Sequence, residues 1–263
     1  MKFTTERIIP DRLECGPTLQ THMARYRFVE SFVQDAVALD AGCGCGYGTH
    51  HLAKSGARNV TGIDVSPQAI EYARQHYSAA NLRYRVMDVA ALSFPDETFD
   101  AAVCLEVFEH VPDYRQLLAE IRRVLKPNGR IVVSTPNGRI FSPKGRPINP
   151  WHVHEFSRIE FQKVMAPYFR EVQLWGQTIK SPIALPATIF HLRMQRYIST
   201  RDSWASRLVE IGYRGVRKAA MLPARFAVTA MSRNPNRILK AEEIPDRRTW
   251  YFIAVGRKRL DVD

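Results

Sequence analysis

Short apolar runs alternate with amphipathic stretches over the first two thirds of the chain. Six runs rich in aliphatic and β-branched residues are typical of buried strands: residues 36–40, 59–64, 82–87, 99–105, 130–134 and 169–175. Four stretches between them have apolar positions at helical spacing: residues 47–55, 68–77, 114–125 and 158–166. Strands that alternate with helices in this way predict an α/β fold, a doubly wound and mostly parallel sheet with right-handed crossovers.

The two ends of the chain add one helix and one strand to this pattern. The spacing of His22, Tyr26, Val29 and Val33 predicts an N-terminal helical segment within residues 1–35. Residues 249–255 are aromatic and β-branched, which favours a seventh strand that is antiparallel and added last. We therefore predict a core over residues 36–179, a basic helical insertion or cap over residues 180–245, and the last strand within residues 246–263.

The composition is that of an ordinary globular protein. The chain has 263 residues, of which 45% are hydrophobic and 24% charged, and this excludes a disordered chain, a collagen and a coiled coil. No stretch reaches the roughly 20 apolar residues that span a bilayer, and residues 1–10 lack the apolar region of a secretory signal. The four cysteines have no metal-type spacing, so we expect free thiols and a cytoplasmic location.

Four glycines follow the first predicted strand, where ligands of open α/β sheets bind. Gly42, Gly44 and Gly46 do not fit the G-x-G-x-x-G pattern of a dinucleotide fold, because the third position falls on Tyr47 or Thr49. The loop begins at an acidic residue and has no Lys or Arg nearby. A cationic ligand therefore suits this loop better than a pyrophosphate.

Five motifs in fixed order carry a family resemblance: LDAGCGCG, IDVS, MDV, FDAAVCLEVFEHV and LKPNGRIVVSTPN. In this order they resemble the class I S-adenosylmethionine (SAM)-dependent methyltransferases over about residues 37–175. The resemblance implies a Rossmann-like fold with SAM as the cofactor. The cofactor-binding residues that it implies are Asp40, Gly42, Gly44, Gly46, Asp64, Val65, Asp88, Val89 and Glu106. Arg25 and Tyr26 lie where related enzymes bind the methionine carboxylate, although a solvated helix face explains them equally well.

Two clusters of polar residues are candidates for the chemistry. Glu106, Glu109 and His110 share one face if they form a helical turn, and His152 and His154 follow the fifth strand. In one interpretation His110 or His154 is a general base, with Glu109 beside it, because the unperturbed pKa of imidazole is about 6.5.

Two other interpretations of these clusters remain open. In the less favoured metal interpretation, Glu106, Glu109, His110 and His154 hold a divalent ion, an arrangement similar to small-RNA 2′-O-methyltransferases and, in part, ubiquinone-pathway O-methyltransferases. In the third interpretation these residues are structural.

The acceptor is less well defined than the cofactor. The segment NPWHVHEF resembles methyltransferases of surface-polysaccharide and glycosylated-metabolite pathways. We therefore predict in-line O-methylation of a hydroxyl on a small molecule or sugar, with lipid-linked and glycosylated acceptors included. The alternatives are 2′-O-methylation of RNA, methylation of a quinone precursor, and a SAM-binding module without turnover.

The net charge of +12 is concentrated late in the chain. Residues 180–240 hold 12 basic and two acidic residues, interleaved with apolar and aromatic ones as in basic amphipathic helices. Four meanings follow: a cap over the acceptor pocket, peripheral attachment to an anionic membrane surface, a site for an anionic small acceptor, or RNA binding. RNA is the weakest of these, because the segment lacks RRM and KH signatures.

Overall fold

The computed structural model describes residues 8–9, 16–179, 189, 193, 236–246 and 249–259. The helices are α1 Gly16–Val29, α2 Tyr47–Lys54, α3 Pro67–His76, α4 Tyr114–Val124, α5 Gly138–Phe141 and α6 Arg158–Met165. The strands are β1 Val37–Ala41, β2 Asn59–Asp64, β3 Leu82–Val86, β4 Phe99–Leu105, β5 Leu125–Pro136, β6 Phe169–Ile179, β7 Asn236–Lys240 and β8 Tyr251–Lys258. All belong to one sheet in the order β3-β2-β1-β4-β5-β8-β6-β7.

The strand order confirms the doubly wound, mostly parallel sheet. Strands β1 to β5 are parallel, and β8 runs antiparallel between β5 and β6. The chain leaves β1 to build β2 and β3 on one side, and then crosses to β4 on the other side. This reversal leaves a crevice at the carboxyl ends of β1 and β4, where ligands of such sheets bind.

The sheet has eight strands in the described residues, so the expected number of seven was wrong. The extra strand, β7, lies inside the range predicted to be wholly helical, residues 180–245, and pairs antiparallel with β6 at the sheet edge. Its exposed Arg237 and Lys240 made it read as part of the basic segment, although charged side chains are common on edge strands. Apart from residues 189 and 193, the insertion before Asn236 lies outside the described residues.

Helix starts are defined by side-chain caps that the sequence indicates. Ser66 precedes Pro67, and its hydroxyl oxygen accepts a hydrogen bond from the Ala69 amide at 3.3 Å. Ser157 and Glu160 form a reciprocal capping box at the start of α6. These caps fix where the chain turns from each preceding loop into its helix, and so they fix the loops that border the crevice.

Apolar side chains cover both faces of the sheet. One core cluster joins α4 and α6 to the sheet through residues such as Leu118, Ile121 and Phe161, and the other joins α1 and α2 through Val29 and Leu52. The described cysteines, Cys43, Cys45 and Cys104, are buried and form no disulfide with one another. No helix among the described residues combines the length and apolar character needed to cross a lipid bilayer.

Candidate active site

A pocket of about 660 Å³ opens at the carboxyl ends of β1, β2 and β4. Most of the predicted cofactor residues meet there, together with one predicted catalytic residue. The pocket is lined by Ile8, His22, Tyr26, Gly42, Cys43, Gly44, Cys45, Tyr47, Asp64, Val65, Asp88, Val89, Ala90, Leu105, Glu106, Val107, His110, Val111, Pro112 and Asp113. These described lining residues include four carboxylates and no Lys or Arg, so the wall favours a cationic ligand.

The glycine loop is shaped by three residues in the left-handed region. Gly42, Gly44 and Gly46 have φ values of +83°, +54° and +85°. A Cβ on Gly42 would overlap the Val107 side chain, and one on Gly46 would lie 2.6 Å from the Ala73 Cβ. A Cβ on Gly44 would meet no protein atom within 4 Å. The absent side chain of Gly44 therefore leaves room for a ligand. The absent side chains of Gly42 and Gly46 instead leave room for Val107 and Ala73 of the protein.

Asp64 connects the end of β2 to the glycine loop. Its carboxylate accepts hydrogen bonds from the Gly44 amide at 3.1 Å and from the Ser66 amide at 2.8 Å. Val65, the next residue, is 65% exposed although it is apolar. At the end of β3, Asp88 and Val89 form the neighbouring wall of the pocket.

Asp40 does not line this pocket. Its side chain is buried beneath the glycine loop, where it accepts hydrogen bonds from Thr49 Oγ1 at 2.7 Å and from the Tyr26 hydroxyl at 3.2 Å. Burial raises the pKa of Asp40 from 3.8 to about 6, against the opposing effect of these two hydrogen bonds. Asp40 therefore holds Thr49 and Tyr26 beneath the glycine loop and does not face the pocket, whereas Tyr26 is one of the lining residues.

Glu106 lies in the pocket wall, two residues before the turn Phe108–His110. Its backbone is strained, with φ at +57°. Ser134 on β5 donates its hydroxyl to Glu106 Oε1 at 2.7 Å, and the Glu106 amide donates to Ser134 Oγ at 3.1 Å. Arg25 lies 3.7 Å from the other carboxylate oxygen. The side chain is thus held from two directions.

Arg25 turns into the protein interior. It is fully buried, donates to Gln177 Oε1 at 2.6 Å, and stacks 4.4 Å from the centre of the Tyr251 ring. Because the side chain is fully buried, the alternative of a solvated helix face was wrong for Arg25, and Arg25 is also not among the described pocket-lining residues. Its guanidinium instead forms an ion pair with Glu106 behind the pocket wall.

A 3₁₀ turn, Phe108–His110, follows β4 and carries two predicted catalytic residues. Glu109 is buried, and burial together with the nearby Glu106 carboxylate holds its pKa well above the usual range. His110 lines the pocket and is oriented by a hydrogen bond between its Nδ1 and the Trp151 carbonyl at 3.1 Å. His110 Nε2 lies 4.0 Å from Glu109 Oε1.

His154 lies apart from this group, because its Nε2 contacts the Pro112 carbonyl at 3.2 Å and its ring packs against Tyr114. In the described residues, the set whose ligand atoms lie within 4.8 Å of one another is Glu109, His110 and His152. The predicted metal set of Glu106, Glu109, His110 and His154 is therefore not assembled. The loop is irregular, so His152 packs against His110 whereas His154, two residues later, packs against Tyr114.

Helix α1 supplies one pocket residue, His22, that the sequence did not single out for binding. His22 lines the pocket, and its Nδ1 lies 3.0 Å from the hydroxyl of Tyr47, a second pocket residue. Burial and the charge of Arg25 hold the pKa of His22 well below its usual range. The helical spacing of His22 and Tyr26 was the available signal, but it indicated only an N-terminal helix.

Comparisons with known proteins place this site in a family. The family described as "Methyltransferase domain" matches residues 39–133. A probable SAM-dependent methyltransferase of Mycolicibacterium smegmatis is 33% identical over 174 residues, which cover 66% of each chain. A ubiquinone biosynthesis O-methyltransferase of Xanthomonas oryzae pv. oryzae is 40% identical over 105 residues, which cover 39% of this chain and 44% of that protein.

The fold comparison extends further along the chain than the sequence comparisons. The crystal structure of a SAM-dependent methyltransferase from Thermotoga maritima superimposes with a TM-score of 0.59 at 16% identity, covering 94% of this chain and 95% of that one. The chain belongs to the class I SAM-dependent methyltransferase family. The matched part of the chain spans 66% of the length of the Mycolicibacterium protein and 44% of the length of the Xanthomonas protein.

The residues present fit SAM, the cofactor of this family. The acidic wall suits a sulfonium cation, and the space at Gly44 accommodates a ligand against the loop backbone. Asp64 and Asp88 stand at the ends of neighbouring strands, where carboxylates can accept hydrogen bonds from ribose hydroxyls and from the adenine amine.

Proposed function

We propose that this protein transfers a methyl group from SAM to a hydroxyl of a small molecule or sugar, with His110 as general base. The observation that carries the proposal is that His110 lines the same pocket as Gly44, Asp64 and Asp88. A base must lie beside the methyl donor to act on the acceptor. Of the two histidines predicted from sequence, His154 is not among the lining residues.

The hydrogen bonding of His110 supports this role. A carbonyl oxygen can only accept, so the contact with Trp151 puts the proton of the neutral ring on Nδ1. Nε2 then carries the lone pair. SAM, when bound, would supply the methyl group, whose bond to the sulfonium sulfur breaks as the bond to the acceptor oxygen forms and S-adenosylhomocysteine leaves. His110 Nε2 would take the proton that the acceptor hydroxyl loses. Glu109 Oε1 lies 4.0 Å from His110 Nε2, and burial holds the pKa of this carboxyl well above its usual range.

The acceptor is proposed as a hydroxylated ring compound. The ubiquinone O-methyltransferase of Xanthomonas oryzae, which is 40% identical over its matched part, supports a phenolic quinone precursor as the first compound to test. The loop sequence NPWHVHEF supports sugars as the second class. Both classes present a hydroxyl whose deprotonation a general base assists.

The experiment measures SAM binding and methyl transfer separately. Calorimetry establishes SAM affinity, and isotopically labelled SAM is then used to screen phenolic quinone precursors and nucleotide-linked sugars. We expect His110→Gln to abolish transfer while SAM affinity stays within a few-fold of the original. Tight SAM binding without transfer to any acceptor would favour a binding module instead, and full activity of His110→Gln would refute the assigned base.

A further inference from the structure

The loop that follows α5 is tied to the catalytic turn by main-chain contacts. The amides of Val153 and His154 donate to the Glu109 carbonyl at 2.8 and 3.3 Å. His110 Nδ1 in turn donates to the Trp151 carbonyl at 3.1 Å. The turn and the loop therefore hold each other in register, although 41 residues separate His110 from Trp151.

The protonation of His152 follows from its partners. The Trp151 amide donates to Asn149 Oδ1 at 3.0 Å, which turns the Asn149 Nδ2 group towards His152 Nε2 at 2.7 Å. An imidazole nitrogen that faces an N–H donor must carry a lone pair. The other nitrogen, Nδ1, lies 2.6 Å from Glu155 Oε1 and therefore donates its proton there.

The chain of hydrogen bonds ends in the protein interior. The Glu155 side chain is fully buried, and its second oxygen accepts a hydrogen bond from the Ser142 hydroxyl at 2.5 Å. Only 9% of the His152 side chain is exposed. Its ring packs nearly perpendicular to the His110 ring, with centres 4.7 Å apart and an angle of 80°. His152 is thus held in one orientation against the residue that faces the pocket.

We propose that His152 is a positioning residue for His110, kept as the neutral Nδ1–H tautomer by Asn149 and Glu155. This inference rests on the proposed role of His110 as the base. The Asn149–His152–Glu155 chain sets the ring against which His110 packs, while Trp151 fixes the His110 tautomer. Because the Asn149 amide donates to His152 Nε2, the lone pair that a metal would need is already used, and this chain assigns His152 to orientation and not to metal binding.

Nuclear magnetic resonance tests the tautomer without any acceptor. In protein labelled with ¹⁵N-histidine, the His152 signals are assigned by their loss in His152→Gln. We expect a protonated Nδ1 and an unprotonated Nε2 near neutral pH. Asn149→Asp is nearly isosteric but replaces the amide donor with an oxygen, so the ring should gain a second proton between two carboxylates. A wild-type ring with its proton on Nε2 would overturn the proposal.

Positioning is tested by the response of His110 and by turnover. In Asn149→Asp the ¹⁵N shifts of His110 should change, and kcat should fall about 10- to 100-fold with the KM for SAM unchanged. The matched control is His51→Gln, which removes a histidine–glutamate pair of the same 2.6 Å length on α2, outside the pocket. His51→Gln should alter neither the ¹⁵N shifts of His110 nor kcat.

The outcomes separate this inference from the proposed function. Unchanged His110 shifts in Asn149→Asp would refute positioning even if His110 is the base. Full activity of His110→Gln would refute the base while the tautomer of His152 still stood.

Discussion

Ser134 and Glu106 lock together the ends of two neighbouring parallel strands. The Ser134 hydroxyl donates a hydrogen bond to the Glu106 carboxylate at 2.7 Å, and Ser134 Oγ accepts one from the Glu106 backbone amide at 3.1 Å. Glu106 needs this anchor because its backbone lies in the left-handed region, which a residue with a side chain rarely adopts. The lock holds a carboxylate in the pocket wall between the cofactor side and His110.

Removing the anchor should therefore affect both stability and SAM binding. We expect Ser134→Ala to lower the free energy of unfolding by about 1.5–3 kcal/mol, because a charged carboxylate loses a buried donor. SAM affinity should fall as well, and denaturant titration and calorimetry measure the two effects. The adjacent Thr135→Val is the control, since that buried hydroxyl has no hydrogen-bond partner in the described structure. If Ser134→Ala changes neither the free energy of unfolding nor the SAM affinity, the Ser134 hydroxyl is not needed to hold Glu106 in its conformation.

The glycine loop offers a matched pair of substitutions. Gly44→Ala adds a methyl group that meets no protein atom, so it should mainly obstruct the ligand. Gly46→Ala brings a methyl group within 2.6 Å of the Ala73 Cβ and should mainly destabilise the fold. Thermal unfolding with and without SAM separates the effects: the positive φ at both positions should lower both ligand-free midpoints, Gly46→Ala more than Gly44→Ala, whereas Gly44→Ala should lose most of the SAM-induced shift. The reverse ranking would contradict the assignment of Gly44 to the ligand side.

The buried carboxyl of Asp40 predicts a pH dependence of stability. Its folded pKa is raised to about 6 from 3.8, so between these values the folded protein retains a proton that the unfolded chain has released. The free energy of unfolding must then fall as the pH rises through this window. A shift of this size corresponds to about 3 kcal/mol.

Asp40→Asn removes this titration and isolates its contribution. The difference in unfolding free energy between the variant and the wild type should grow from about pH 4 to pH 6 and then level off. Urea unfolding at several pH values measures it. Parallel curves for the two proteins would mean that Asp40 ionises as it does in water.

Chelation should leave methyl transfer unchanged. The predicted metal set does not assemble, and His152, which replaces His154 in the cluster with Glu109 and His110, donates to Glu155 and accepts from Asn149. Activity measured before and after dialysis against EDTA, with added Mg²⁺, Mn²⁺ or Zn²⁺ as the recovery arm, tests this. A loss that one ion restores would establish metal-assisted transfer.

The basic segment provides a prediction about location in the cell. We expect residues 180–240, with 12 basic and two acidic residues, to bind anionic vesicles at low salt and release them at high salt. Co-sedimentation with anionic and with neutral vesicles measures this. Arg214→Glu combined with Arg217→Glu should reduce pelleting. Protein that stays in the supernatant with anionic vesicles at low salt would leave the cap as the better interpretation.

Local patterns sufficed for much of the fold. The bounds of β2 and β4 agree with the apolar runs 59–64 and 99–105, because burial on both faces of a parallel strand leaves a continuous apolar signal. Ser66 and Pro67 set the start of α3, and their capping chemistry is local, so it can be read from the sequence alone. Strand β7 was missed because a short charged edge strand carries no such signal.

The sequence by itself determined the family, the strands of the sheet other than β7, and the position of the cofactor loop, since each depends on neighbours along the chain. Only the tertiary structure decided which polar side chains meet. It buried Asp40 and Arg25, brought His22 into the pocket, and exchanged His154 for His152 beside His110. These outcomes depend on contacts between residues far apart in sequence, and an irregular loop has no periodicity from which the direction of its side chains can be read.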